Sequence, residues 1–310
     1  MTKFLRLFSR NSLFLLLGGL FVIQSVMGQA TDALDRQLAD YRANLTQLRK
    51  EHPNQREMPD LRFFLFGMGD RRKLFYRDGA LHDARTGEVL HKWAVKCERI
   101  VPPAYTVALE TTDGQTVLIA EDEAGVWLTE GKNKRVSLSK SQLNLSDFRG
   151  KTYAPILKVL HHEILMNVID GKPVPNFFVY QKPWYRDATL MAMVLKTGGN
   201  LRLIRDWVMA IRDPFDRNNH GIAEADNPGQ VLYLISLVSG KNHPAVPIVL
   251  DSLRQFVKKG TAGTYIEGKT DYSLHPVFQT KWTKFGLNSL GLPDPYQIPN
   301  QFDQYSSMFW

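Results

Sequence analysis

One cysteine, Cys97, stands in a chain of 310 residues. No internal disulfide and no cysteine-pair metal site can form, so packing alone must hold the molecule together. Beyond residue 30 no apolar run reaches the ~20 residues that a membrane-crossing helix needs. The net charge is mild as well. Removing Lys3, Arg6 and Arg10 with an N-terminal leader takes the formal net charge from +8 to +5. No stripe of lysine and arginine interleaved with aromatics accompanies it, which excludes a nucleic-acid partner. His161-His162-Glu163 has no second histidine at metalloprotease spacing. Asp216 to Gly221 begins like a calcium loop, but the twelfth residue is Asn227 where a bidentate glutamate is required. Gly67-Met68-Gly69-Asp70 is not followed by the basic residue and helix of a phosphate loop and reads as a turn. Neither a metal nor a cofactor is expected.

The leader itself is legible. A basic start precedes the apolar run Leu13 to Val26, and the small residues after it offer cleavage before Gln29 or after Ala30. Residues 1–28 therefore read as a signal peptide, which places the protein outside the cytoplasm, secreted or in the cell envelope, with no membrane span after cleavage. Residues 29–60 hold one amphipathic helix, with Leu34, Leu38, Tyr41, Leu45 and Leu48 on one face. Residues 61–150 change period. Short β-type runs such as Phe63–Phe66 and Thr116–Ile119 alternate with turn signals at Arg77-Asp78-Gly79 and Thr112-Asp113-Gly114, the pattern of a small antiparallel module. Cys97 sits in the run Trp93–Cys97 and is expected to be a buried strand residue.

From residue 151 to 310 the pattern is helical, with helices expected at 154–169, 186–197, 200–211, 228–239, 244–258 and 276–290. Tight links at Thr197–Asn200 and Ser239–His243 make antiparallel neighbours. The longer links then lie together at the other end, which gathers the starts of helices 186–197, 228–239 and 276–290 on one rim. The fold expected is mainly α with a small antiparallel β module.

That rim carries the chemistry. Trp184-Tyr185-Arg186-Asp187 opens the first of these helices. Glu224-Ala225-Asp226-Asn227 precedes the second, and Glu267 and His275 precede the third. Helix axes pack ~8–10 Å apart, so carboxylates on adjacent ends can approach the ~6.5–9.5 Å separation used by inverting glycosidases. Asp187 and Asp226 also suit plain helix capping, and Asn227 is the natural cap ahead of Pro228. Glu224 is left without a capping task and is the first choice for general acid, with Asp187 as the other catalytic carboxylate. Trp184, Tyr185, Arg186, Asp226, Glu267 and His275 are the candidate substrate contacts.

PWYRDA followed by DRNNHGIAEADN, with VPNFFVYQKPWYRDA, EADNPGQVLYLISLV and YIEGKTDYSLHPVFQTKW, resembles the six-hairpin glycosidase-like superfamily and uncharacterised bacterial proteins of that kind. The resemblance covers about residues 60–310. It implies helical hairpins of an (α/α)6 toroid, incomplete at the C-terminus because three inner helices follow the β module instead of six. It also implies that Trp184, Arg186 and Asp187 hold a sugar while Glu224 donates a proton. The activity expected is inverting glycoside hydrolysis of a carbohydrate substrate. A polysaccharide lyase using Tyr265, His275 and Arg186, or a non-catalytic glycan-binding envelope protein, are the alternatives. Oligomeric state is left open.

Overall fold

The computed structural model describes residues 32–53 and 61–305. The expected signal peptide and the aromatic ending at residues 306–310 lie outside the described residues. Helix α1 (residues 32–51) lies against the rest of the chain through buried Tyr41, the Asp35–Arg99 ion pair at 3.0 Å and a hydrogen bond from Tyr153 to Glu51.

Two antiparallel meanders follow. The first runs β1 (Phe63–Phe66), β2 (Leu74–Arg77), β3 (Ala80–Asp83), β4 (Val89–Lys92), and the second β5 (Val95–Val101), β6 (Thr106–Thr111), β7 (Thr116–Glu121), β8 (Gly125–Glu130), β9 (Val136–Lys140). The β2–β3 turn behaves as Asp-Gly dictates. Asp78 and Gly79 have φ of 46° and 74°, and Arg77 pairs with Ala80, the two-residue geometry whose twist matches the strands. Phe64, Phe66, Leu74 and Tyr76 point inward, and Phe64 packs edge-on to Tyr105 at 4.8 Å, joining the two sheets. Between β1 and β2 the Gly67 and Met68 amides donate to the buried Glu121 carboxylate at 2.8 and 2.7 Å, and Arg71 pairs with the same carboxylate at 2.9 Å. The turn's amides are thus consumed internally.

The helical part comprises α2 (Ala154–Met166), α3 (Tyr185–Thr197), α4 (Arg205–Met209), α5 (Asn227–Val238), α6 (Ala245–Leu253) and α7 (Pro276–Ser289). Three two-stranded hairpins interrupt it: β10–β11 (Val168–Ile169, Lys172–Pro173), β12–β13 (Val257–Gly260, Gly263–Ile266) and β14–β15 (Lys269–Thr270, Ser273–Leu274). Helix α5 is central: every residue from Asn227 to Ile235 is buried, as a helix apolar on all sides requires. One apolar core runs from Phe66 and Ile119 in the sheets through Leu165 and Leu203 to Val231 and Leu234. Among the described residues no helix is long and apolar enough to cross a membrane.

The mainly α expectation is corrected. The described residues are 36% helical and 24% strand, arranged in five antiparallel sheets, and the (α/α)6 toroid implied by the resemblance is overturned. Helix 200–211 is a 3₁₀ turn, Leu201–Ile204, followed by the short α4. Helix 244–258 stops at Leu253 because Val257–Gly260 pairs with Gly263–Ile266 instead. Strands β3 and β9 were not anticipated, and Trp93-Ala94 breaks what reads as one continuous run.

Cys97 is also corrected. A bulge between Val95 and Cys97 shifts the pairing with β6, so alternation fails and Cys97 is exposed.

Candidate functional site

The leading ends of α3 and α5 meet at Arg186, and the β14–β15 turn that precedes α7 joins them there. Arg186 Nη1 lies 3.0 Å from Asp226 Oδ2 and 3.9 Å from Glu224 Oε2, while Nη2 lies 3.0 Å from both oxygens of Asp271. Three carboxylates from two chain segments therefore converge on one guanidinium, whose planar fork suits bidentate pairing.

Local backbone aims each group. Trp184 is extended and supplies no side-chain cap to α3. The missing cap comes from another segment, since Asp216 Oδ2 accepts the Tyr185 amide at 2.7 Å. Left-handed residues at Arg217 (φ 57°) and His220 (φ 51°) fold the 216–221 loop tightly. Asp271 and Tyr272 form the β14–β15 turn with φ of 46° and 68°. Two non-glycine residues held there store roughly 1–3 kcal/mol each, and the turn presents Asp271 to Arg186.

Asp226 is buried. Its Oδ1 accepts from Thr270 at 2.9 Å and its Oδ2 from Gln230 at 2.8 Å as well as from Arg186. It anchors Arg186 and is not a substrate contact. Asn227 does not cap α5. It is the buried first residue of the helix, accepting the Asp216 amide and donating to Gln230.

Glu224 keeps 2% of its side-chain surface exposed. Its Oε1 accepts the Asp271 amide at 2.7 Å and Asn219 Nδ2 at 3.2 Å, so a proton can reside only on Oε2, on the Arg186 side. Burial raises its pKa above the ordinary glutamate value, against the lowering pull of the Asp271 amide. Asp187 lies in the first turn of α3, half-buried. Burial raises its pKa too, with Arg186 opposing. Burial likewise raises Asp216.

Other candidates fall elsewhere. Tyr185 is buried and its hydroxyl donates to the Asp213 carbonyl at 2.9 Å, so it cannot face a ligand. Glu267 makes no side-chain hydrogen bond to the cluster, its amide donating to Phe256; Asp271 occupies the place expected of it. Tyr265 pairs with Lys258 in the β12–β13 hairpin. His275 lies beside the cluster. Its Nδ1 is 3.1 Å from Asp303 Oδ1, and its ring stacks on Tyr305 at 4.1 Å. Tyr305 in turn donates to Asp271 at 2.9 Å. Trp184 is half-buried and packs edge-on to exposed Tyr180 at 5.9 Å.

Asp216, Asn219, Thr270, Asp271, Asp303 and Tyr305 were missed in the sequence. None belongs to a helix start; Thr270 lies in β14 and the others in loops or turns. Among the described residues no group of three histidine, cysteine, aspartate or glutamate side chains is arranged to hold a metal ion. Comparison with protein families, with curated proteins and with solved structures finds no match to this chain, so the resemblance to the toroid glycosidases has no support there either.

Proposed function

We propose that the protein is an exported hydrolase of glycosidic bonds, working by carboxylate acid–base catalysis at the Arg186 cluster. The observation that carries this reading is the division of its carboxylates. Asp226 and Asp271 are paired with Arg186 at 3.0 Å, whereas Asp187 and the more distant Glu224, 3.9 Å from it, are pushed by burial toward the protonated form. Separating carboxylates by environment is how one site supplies both an acid and a base.

The half-buried Asp187 is the better-placed proton donor to a leaving oxygen, because Glu224 is nearly enclosed. Asp271, with 34% of its side chain exposed, is the carboxylate that can orient a water. Paired to a guanidinium, it is a poor covalent nucleophile, and inversion at the anomeric carbon is therefore expected. Glu224 fixes Asp271 through its amide, and Trp184 offers a ring face at the rim. Export rests on the basic and apolar leader.

A lyase fits less well. Elimination beside a uronate needs a cation free to neutralise the sugar carboxylate, and Arg186 already faces three carboxylates.

The test uses protein lacking residues 1–28 and a panel of neutral polysaccharides, followed by reducing-end release. Asp187→Asn should lower turnover by roughly 10²–10⁴-fold, with rate returning on aryl glycosides whose leaving groups need no proton. Ultraviolet-absorbing products would indicate a lyase. Binding without any turnover would leave only a glycan-binding protein.

A further inference from the structure

We propose that a carbohydrate-binding surface, an aromatic platform on the outer face of the first sheet, leads an extended neutral glycan toward the Arg186 cluster. The proposal rests on the hydrolase reading for its substrate class.

Strand pairing sets the platform. Phe63 lies opposite Arg77 and Leu65 opposite Phe75, so Phe63, Leu65 and Phe75 share the face turned away from buried Phe64, Phe66 and Tyr76. An antiparallel sheet with one solvated face ordinarily carries polar residues there. Here Phe178 reaches over from the segment before α3, 6.3 Å from Phe63 and 6.2 Å from Phe75, edge-on to both. The group is only half covered. Phe63, Phe178, Val179 and Tyr180 are 45%, 53%, 67% and 53% exposed. Asn176 holds the segment rigidly, its Oδ1 accepting the Phe178 and Val179 amides at 2.9 and 3.0 Å. Contiguous exposed apolar surface of this kind marks a binding site.

Charge and continuity choose the occupant. Of the neighbouring arginines, Arg72, Arg77 and Arg85 are each paired with an aspartate, Asp83, Asp78 and Asp170, which weakens the pull of this face on anionic lipid. A handful of rings falls well short of the about 20–30 residues a side that a stable protein interface uses. The segment bearing Phe178 and Tyr180 continues through Trp184 directly to Arg186 and Asp187. Aromatic faces bordered by polar groups suit the apolar faces and equatorial hydroxyls of a sugar chain.

The experiment is affinity electrophoresis of protein lacking residues 1–28 in gels containing hydroxyethyl cellulose, mixed-linkage β-glucan, xyloglucan or galactomannan, with polygalacturonate as the anionic control. Retardation by at least one neutral polymer is expected. Phe178→Ala/Tyr180→Ala should weaken it at least tenfold, while unfolding temperature and cleavage of short aryl glycosides stay unchanged. Retardation without any cleavage by the parent protein would sink the hydrolase reading and leave this surface standing. No retardation by any neutral polymer, equal retardation of the variant, or loss in the variant of vesicle binding or dimerisation instead, would overturn the proposal.

Discussion

Gly286 of α7 lies so close to Gly229 of α5 that a side-chain carbon placed on it would stand 2.3 Å from the Gly229 carbonyl oxygen. The reverse contact is as tight, since a carbon on Gly229 would lie 2.4 Å from the Trp282 carbonyl carbon. The two helices touch backbone to backbone; the start of α5 carries Asp226 to Arg186, and the β14–β15 turn ahead of α7 carries Asp271.

Gly286→Ala and Gly229→Ala should each force the helices apart. Overpacking of this kind costs about 1–3 kcal/mol or more, visible as a lower urea midpoint. Gly240→Ala, where nothing lies within 4 Å, is the control and should be near neutral.

Arg186→Met should leave the Asp226 carboxylate, 0% exposed, without its counter-charge. Removing one partner of a buried pair costs about 3–5 kcal/mol. Adding Asp226→Asn to the same chain should recover part of that loss, giving a non-additive double-mutant cycle. Additive losses would show that the two side chains are not coupled.

Glu224 sets a pH dependence. Its folded pKa is raised by burial above the ordinary 4.5, so between the two values the native state holds more protons than the unfolded chain. Its contribution is most favourable below the unfolded pKa and declines as pH rises through the folded pKa. Asp187 and Asp216, also raised by burial, act with the same sign. The unfolding temperature of Glu224→Gln relative to the parent should therefore increase between pH 4 and pH 7. A constant difference across that range would remove Glu224 from the account.

Cys97 should react with a thiol reagent in the native protein without denaturant, because the β5 bulge leaves it exposed. Labelling that requires denaturant would place it in the interior.

The legible parts of this protein are those with short-range causes. Asp78-Gly79 announces its hairpin because few residues accept two successive left-handed conformations. The starts of α3, α5 and α7 are readable from Pro183, Pro228 and Pro276 and the polar residues near them. The tight links pointed to a shared end for the starts of α3 and α5, which the contacts of Asp216 with the Tyr185 amide and with Asn227 join. The β content was underestimated because β10–β11 and β14–β15 are two residues per strand, too short for any periodicity. The toroid resemblance rested on motif order, which does not report how many strands intervene.

What the amino-acid order determined alone was local: hairpin turns, helix starts and the absence of any disulfide. Tertiary structure decided which side chains touch Arg186. Asp271, carried on the β14–β15 turn, takes the place expected of Glu267, and Tyr305 joins the cluster through its hydrogen bond to Asp271. Interaction between residues distant along a chain is selected by packing, which no local pattern encodes.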